Sequence, residues 1–204
     1  TGLKRRLGIV WYLYEDPCKP TDGNHTKYLE PAQREKHRPT DPELYDKLQQ
    51  LITEDDRHIS AIRRRGILPP DTVYYEEPLS LSHLPKGNKE AMAMRLNHRT
   101  QWLEGALKAT KDCDIIFVDP DNGLEVKSTP RHHDRGPKFT YYDELRPFWQ
   151  RDQSLVIYQH KNMHESAEQQ IKNRQAEMLH HFGQTPEAHY YPASGGRIFF
   201  VLNQ

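Results

Sequence analysis

Residues Asp114 to Lys127 read DIIFVDPDNGLEVK, and this stretch decides the fold. Ile115 to Val118 form an unbroken apolar run rather than an alternating one, the pattern of a strand buried on both faces of a parallel sheet. Asp119 closes the run. Pro120 has no N–H to donate to a ladder, so the strand stops there. Asp121, Asn122 and Gly123 have turn chemistry, and Gly123 tolerates positive φ.

Similar runs lie on either side. Leu7 to Tyr14 (LGIVWYLY), Thr72 to Tyr75 and Ser154 to Tyr158 (SLVIY) read as strands. Ala188 to Tyr191 and Arg197 to Leu202 read as a closing hairpin, joined through Pro192-Ala193-Ser194-Gly195-Gly196. Helical patterns fill the gaps. Asp41 caps a helix with Pro42 at its first position and Leu44, Leu48, Leu51 and Ile52 on one face. Asn88 caps a long helix to about Thr110, with Met92, Leu96, Leu103 and Leu107 expected inward. Tyr142 to Gln150 reads as a short helix limited by Pro147. Glu165 to Phe182 is the clearest helix, with Ala167, Ile171, Met178 and Phe182 inward and Gly183 at its end. The expected architecture is α/β: a three-layer, mostly parallel sheet of Rossmann-like type, helices on both faces, and a C-terminal antiparallel hairpin. It is expected as a single domain over 1–204, with long loops at 16–40 and 126–139.

The chain has 204 residues, with 29 Lys plus Arg balancing 29 Asp plus Glu. That balance excludes a body that holds nucleic acid by bulk charge, and leaves room for a local basic face. The hydrophobic fraction is 35% and the mean hydropathy −0.97, yet no apolar run approaches the ~20 residues of a membrane helix. No membrane association is expected. Cys18 and Cys113 make no disulfide framework, so a reducing cytoplasm is the expected compartment. The chain opens Thr1-Gly2 without a signal pattern or a Met, so a preceding element is expected.

The chemistry gathers where the strands end. In an open α/β sheet, ligands sit beyond the carboxyl ends of the strands. The first strand runs into Glu15-Asp16-Pro17, the third into Asp119 to Glu125, and the fourth into Gln159-His160-Lys161-Asn162. Asp119, Asp121 and His160 are therefore the candidate catalytic groups. Three carboxylates within one loop, Asp119, Asp121 and Glu125, need a divalent cation, a shared proton or a basic partner. Lys127 and Lys138 are candidates to neutralise phosphate, with solvated loop lysines as the alternative reading. Arg63-Arg64-Arg65 reads as a solvated helix face, and His180-His181 as surface.

Several motifs fail. Counted from Asp119, Gly123 is fifth and the twelfth residue is Pro130, so no EF-hand loop is present. No Gly-rich phosphate loop follows a strand, and no Cys/His spacing suits zinc.

DPDNGLE at Asp119 to Glu125, YQH at Tyr158 to His160, and the opening Trp11 to Leu29 resemble a family of bacterial proteins that carries no assigned activity. More distantly, Asp119-Pro120 after its strand and the final hairpin resemble Rossmann-like S-adenosylmethionine methyltransferases acting on nucleic acid. Those include the ribosomal RNA adenine methyltransferases and the three-Cys-motif partner proteins. That resemblance implies S-adenosylmethionine as cofactor, with Glu15 or Asp16 holding its ribose or amino group. Asp119 would orient the target amine, with Pro120, Asn122, Lys127 and Lys161 beside the substrate. The chain departs from the pattern at the first strand, where Glu15-Asp16-Pro17 replaces a Gly-rich turn. The cofactor site is then either degenerate or supplied by a segment ahead of Thr1. Two other readings stand beside this one. In the first, Asp119, Asp121 and Glu125 hold Mg or Mn for phosphodiester cleavage, assisted by His160 or Lys161. In the second, the protein is a non-catalytic scaffold. The oligomeric state is not legible.

Overall fold

A computed structural model of the chain describes residues 5–14, 26–56, 58–192 and 195–204. The chain divides into two compact units, Asp16–Asp71 and the remainder.

The strands of the larger unit are, in chain order, β1 (Leu7–Trp11), β2 (Val73–Tyr75), β3 (Ile115–Asp119), β4 (Gly123–Leu124), β5 (Phe139–Thr140), β6 (Ser154–His160), β7 (Glu187–Tyr191) and β8 (Arg197–Leu202). Six of them form one sheet in the order β2-β1-β3-β6-β8-β7. β1, β2, β3 and β6 are parallel, and β8 runs antiparallel to both β6 and β7. The expected mostly parallel sheet with a terminal antiparallel hairpin is thus present. β4 and β5 form a separate small parallel pair that the sequence pattern does not mark. β6 also extends two residues beyond the SLVIY run, which places Gln159 and His160 on the strand itself.

The order in which strands are added across the sheet reverses between β1 and β3. β2 lies on one side of β1, and the chain then crosses to β3 on the other. This is the topological switch point, where open α/β sheets place their ligands.

The smaller unit, over its described part, is helical: α1 (Arg34–His37), α2 (Pro42–Thr53) and α3 (Ile59–Arg64), with 3-10 turns at Lys27–Leu29, Pro31–Gln33 and Arg38–Thr40. Part of the stretch read as a loop over 16–40 is therefore ordered into turns. Pro31 and Pro39 begin turns there rather than break them, since proline's fixed φ suits a first helical position. Asp41 caps α2 as expected. Arg34 and Arg38 both grip Asp46, and Arg64 and Arg65 pair with Asp56. Two members of the basic cluster are thus committed to carboxylates.

Helices α4 (Lys89–Ala109), α5 (Tyr142–Trp149) and α6 (Ala167–Phe182) connect the strands of the larger unit. Trp102, Ala106, Leu145, Phe148, Met178 and Phe182 pack with Ile116, Val118, Leu155, Ile157 and Phe200 into one core. The caps are as the sequence predicts at Asn88, whose Oδ1 accepts from Ala91 N at 2.8 Å. At α6 the cap is Ser166, and the helix begins at Ala167 rather than at Glu165. The buried stripe of α4 meets expectation in part: Leu103 and Leu107 pack against the core as expected. Ala91, Arg95, Arg99, Trp102 and Ala106 face inward, while Met92 is exposed. Trp102 and Ala106 fix the rotation of the helix, and the same stripe continued by helical spacing passes through Arg95 and Arg99. Their charges are matched by Asp134 and Glu144. Among the described residues no helix is long and apolar enough to cross a membrane.

Candidate functional site

Trp11 on β1 pairs with Asp119 on β3 across the switch point. Side chains alternate along a strand, so Asp119 shares its face with Phe117 rather than Val118. Val118 pairs with Ile157, which sets Asp119 level with Tyr158 on β6. His160 lies two residues on, on the same face, and pairs with Arg197 at the start of β8. Four polar groups from three strands thus share one face at one edge: Asp119, Tyr158, His160 and Arg197.

Their electrostatics are coupled. Burial foremost, and then the Asp121 charge, push the Asp119 carboxyl up from 3.8 to about 6, against the opposing pull of Arg197. Arg197 also hydrogen-bonds the Tyr158 hydroxyl, whose proton affinity is raised chiefly by burial. The Tyr158 hydroxyl lies 3.3 Å from His160 Nδ1. Gly195 lies beside the His160 ring, where a Cβ would make an ordinary contact with Cε1 at 3.6 Å. The strand ends that carry Asp119 and His160 lie side by side, as the sequence reading requires, with His160 two residues beyond the level of Asp119. Tyr158 and Arg197 are site residues that the sequence reading missed. The two-residue spacing of Tyr158 and His160 on a strand gives the signal for the first. The second depends on β8 lying beside β6, which a linear reading does not show.

The loop after β3 is held by Gln159. Its Oε1 accepts from Leu124 N at 2.9 Å, and its Nε2 donates to Asn122 O at 3.2 Å and His160 O at 2.8 Å. Gly123 has φ +109°, and a Cβ there would stand 2.6 Å from the Gln159 amide. Glycine is therefore required at this close approach. Pro120 is buried, and Asn122 offers its backbone oxygen to Gln159 and to His160 N. The exposed Asp121 accepts from Lys138 Nζ at 3.0 Å. Lys161 donates its backbone N–H to Gly196 O and its ammonium to Asn162 O.

Glu125 is drawn elsewhere. Its Oε1 accepts from Tyr142 N at 2.9 Å, at the first residue of α5, where a carboxylate suits the positive helix end. The expected metal triad of Asp119, Asp121 and Glu125 is accordingly not assembled. Among the described residues, no three His, Cys, Asp or Glu side chains converge as a metal site. One carboxylate is spent on a helix, one on Lys138, and only Asp119 remains in the group at the sheet edge. Glu125 and Lys127 instead line a separate cleft of about 630 Å³ with Tyr142, Arg174, Glu177 and His181. Tyr142 and His181 stack there with ring centroids 4.2 Å apart, so His181 is not the free surface residue expected.

The expected contacts to S-adenosylmethionine, Glu15 and Asp16, lie outside the described residues, as does Cys18. The described end of β1 is closed against the segment at 138–140. The Tyr12 hydroxyl meets Thr140 Oγ1 at 2.8 Å in a buried contact. Lys138 stands 4.8 Å over the Tyr14 ring while it holds Asp121. Arg99, also buried, lies over the Tyr12 and Tyr141 rings. A nucleoside laid between the ends of β1 and β3 would displace this packing. The described residues there do not fit the cofactor.

Comparisons with protein-family models, with curated proteins and with solved structures return no match.

Proposed function

We propose that the protein is a methyltransferase-like protein with a degenerate cofactor site that recognises nucleic acid through the group at the carboxyl edge of β3, β6 and β8. The observation that carries this reading is Asp119 at the switch point, partly buried, beside Arg197 and level with Tyr158. No residue that accompanies it assembles a metal site among the described residues.

Ionised, Asp119 is an acceptor for the exocyclic amine of an unpaired base. Arg197 keeps that carboxyl more acidic than burial alone would allow, and presents donors to a phosphate oxygen. His160 and Lys161 stand beside it on the same rim. Base edges read by hydrogen bonds, with cations holding the backbone, are the ordinary terms of single-strand recognition.

The test is fluorescence anisotropy with labelled single-stranded RNA and DNA. Asp119→Asn should weaken binding to amine-bearing bases, and Arg197→Ala should weaken binding to all sequences. Calorimetry with S-adenosylmethionine should give no binding heat. Failure to bind either strand at low salt, or affinities indifferent to both substitutions, would overturn the reading. A clear S-adenosylmethionine isotherm would overturn the degeneracy.

A further inference from the structure

A second cleft, of about 500 Å³, opens at the start of α4 between Lys86, Lys89, Arg95, His132, His133 and Asp134. α4 follows β2 and returns the chain to the start of β3, so it runs against the parallel strands. Its first residue therefore lies at the same carboxyl edge of the sheet as Asp119. Nothing in the proposed recognition group uses this cleft.

Its charge is unbalanced. Asp134 is its one carboxylate, and both oxygens are taken: Oδ1 accepts from Arg95 Nη2 and Oδ2 from Lys86 Nζ, each at 2.6 Å. Lys86 foremost, with Arg95, holds the Asp134 carboxyl below the usual carboxylate range. Three cations then face one anion, with two imidazoles beside them. Glu90, next along α4, does not line the cleft.

Arg95 supplies the second observation. It is 2% exposed, yet lines the cleft. A guanidinium has five N–H groups. Nε donates to His132 O, Nη1 to Leu81 O and Leu84 O, and Nη2 to Asp134. Among the described residues, one Nη2 N–H has no acceptor. Each of its nitrogens has an acceptor, and the fifth N–H is open to a further ligand oxygen. The positive end of a 21-residue helix acts in the same direction.

We infer that this cleft binds a phosphate group of the nucleic acid, at a place separate from the Asp119 group and independent of base sequence. The inference rests on the proposed function for its source of phosphate. Lys86, Lys89 and the spare Arg95 N–H take the oxyanion, and the His132 and His133 rings offer further donors. A metal ion does not suit it, because among the described residues its one carboxylate is already held by Lys86 and Arg95.

The test uses the full chain with Lys86 and Lys89 both changed to Ala. Both are exposed, and their replacement should leave the thermal midpoint within a degree or so, a check read by circular dichroism. The slope of log affinity against log salt should fall by about 0.7, the value for the one phosphate of a single strand that the lysines no longer neutralise. The weakening should be equal for every sequence. An unchanged slope would overturn the inference, and if Asp119→Asn still alters base preference, the proposed function survives that failure. A reduced slope with Asp119→Asn indifferent supports the cleft and overturns the Asp119 reading. Inorganic phosphate forms the second arm. Stabilisation of the wild type by phosphate, with oligonucleotide slopes unchanged by the lysine variant, would assign the cleft to the free ion and overturn the nucleic-acid source.

Discussion

Arg99 of α4 and Glu144 of α5 form an ion pair sealed inside the protein, with Nε 2.5 Å from Oε1 and Nη2 2.9 Å from Oε2. Both side chains are at most 5% exposed. Arg99 Nη2 also donates to Phe139 O, and Glu144 accepts from Tyr141 N. One pair thus ties two helices and the strand β5 together beneath the sheet edge. Arg99 Nη1 is buried without a partner, so the pair is not fully satisfied.

Removing one partner leaves the other charge buried and alone. Glu144→Ala should therefore destabilise by about 3–5 kcal/mol in urea denaturation. Arg99→Met together with Glu144→Leu should cost clearly less than Glu144→Ala alone, because the desolvation penalty disappears with the charges. A double variant less stable than the single would show that the hydrogen bonds, and not the stranded charge, dominate.

Asp119 gives the stability a pH dependence of unusual sign. Its folded value is about 6 against an ordinary 3.8, so between these values the folded state keeps a proton that the unfolded state releases. Stability from this group is then full below about pH 4, falls as pH rises to about 6, and stays reduced above it. Asp119→Asn should remove the effect. The variant should gain on the wild type through that window, by about 3 kcal/mol. Thermal melts from pH 4 to 8 are the measurement, and a constant difference between the two proteins would contradict the raised value.

Gly123→Ala should be costly for two reasons that act together. The residue sits at φ +109°, where an L side chain is strained, and its Cβ would meet the Gln159 amide at 2.6 Å. A loss of about 1–3 kcal/mol is expected, with the loop at 120–125 displaced. Chemical denaturation measures the first, and amide hydrogen exchange at Leu124 the second. Exchange unchanged at Leu124 would mean that Gln159 yields instead.

Gln159→Leu removes the acceptor of Leu124 N–H and the donor to Asn122 O while keeping similar bulk. Stranded buried groups of this kind cost about 1–3 kcal/mol. Because the same amide aligns the loop that follows Asp119, nucleic-acid affinity should fall even at temperatures where the variant is fully folded. Equal affinity of the folded variant and the wild type would separate the loop from recognition.

The strands are legible because continuous apolar runs such as IIFV and SLVIY have few alternatives, and Pro120, Gly183 and Asn88 mark element boundaries by backbone chemistry. Asp119 and His160 can be placed at one sheet edge from the same pattern. The fate of Glu125 cannot. Three carboxylates close in sequence look like one cluster, but the β4–β5 pair turns the loop so that Glu125 reaches α5 instead. Similarly, the helical spacing of Arg95 and Arg99 on α4 suits a polar stripe towards the crevice or plain salt bridges, and they are buried because Trp102 and Ala106 set the helix rotation.

The sequence by itself determined the elements, their caps and the face on which Asp119 ends its strand, since these follow from local conformational preference and from periodicity. The tertiary structure alone decided which polar groups meet: Arg197 beside His160, Glu144 beneath Arg99, and Asp134 between Lys86 and Arg95. Such pairings join residues 37 to 48 positions apart, and for the buried Arg95 and Arg99 what selects the partner is the cost of burying a charge alone, a property of packing that no linear stretch contains.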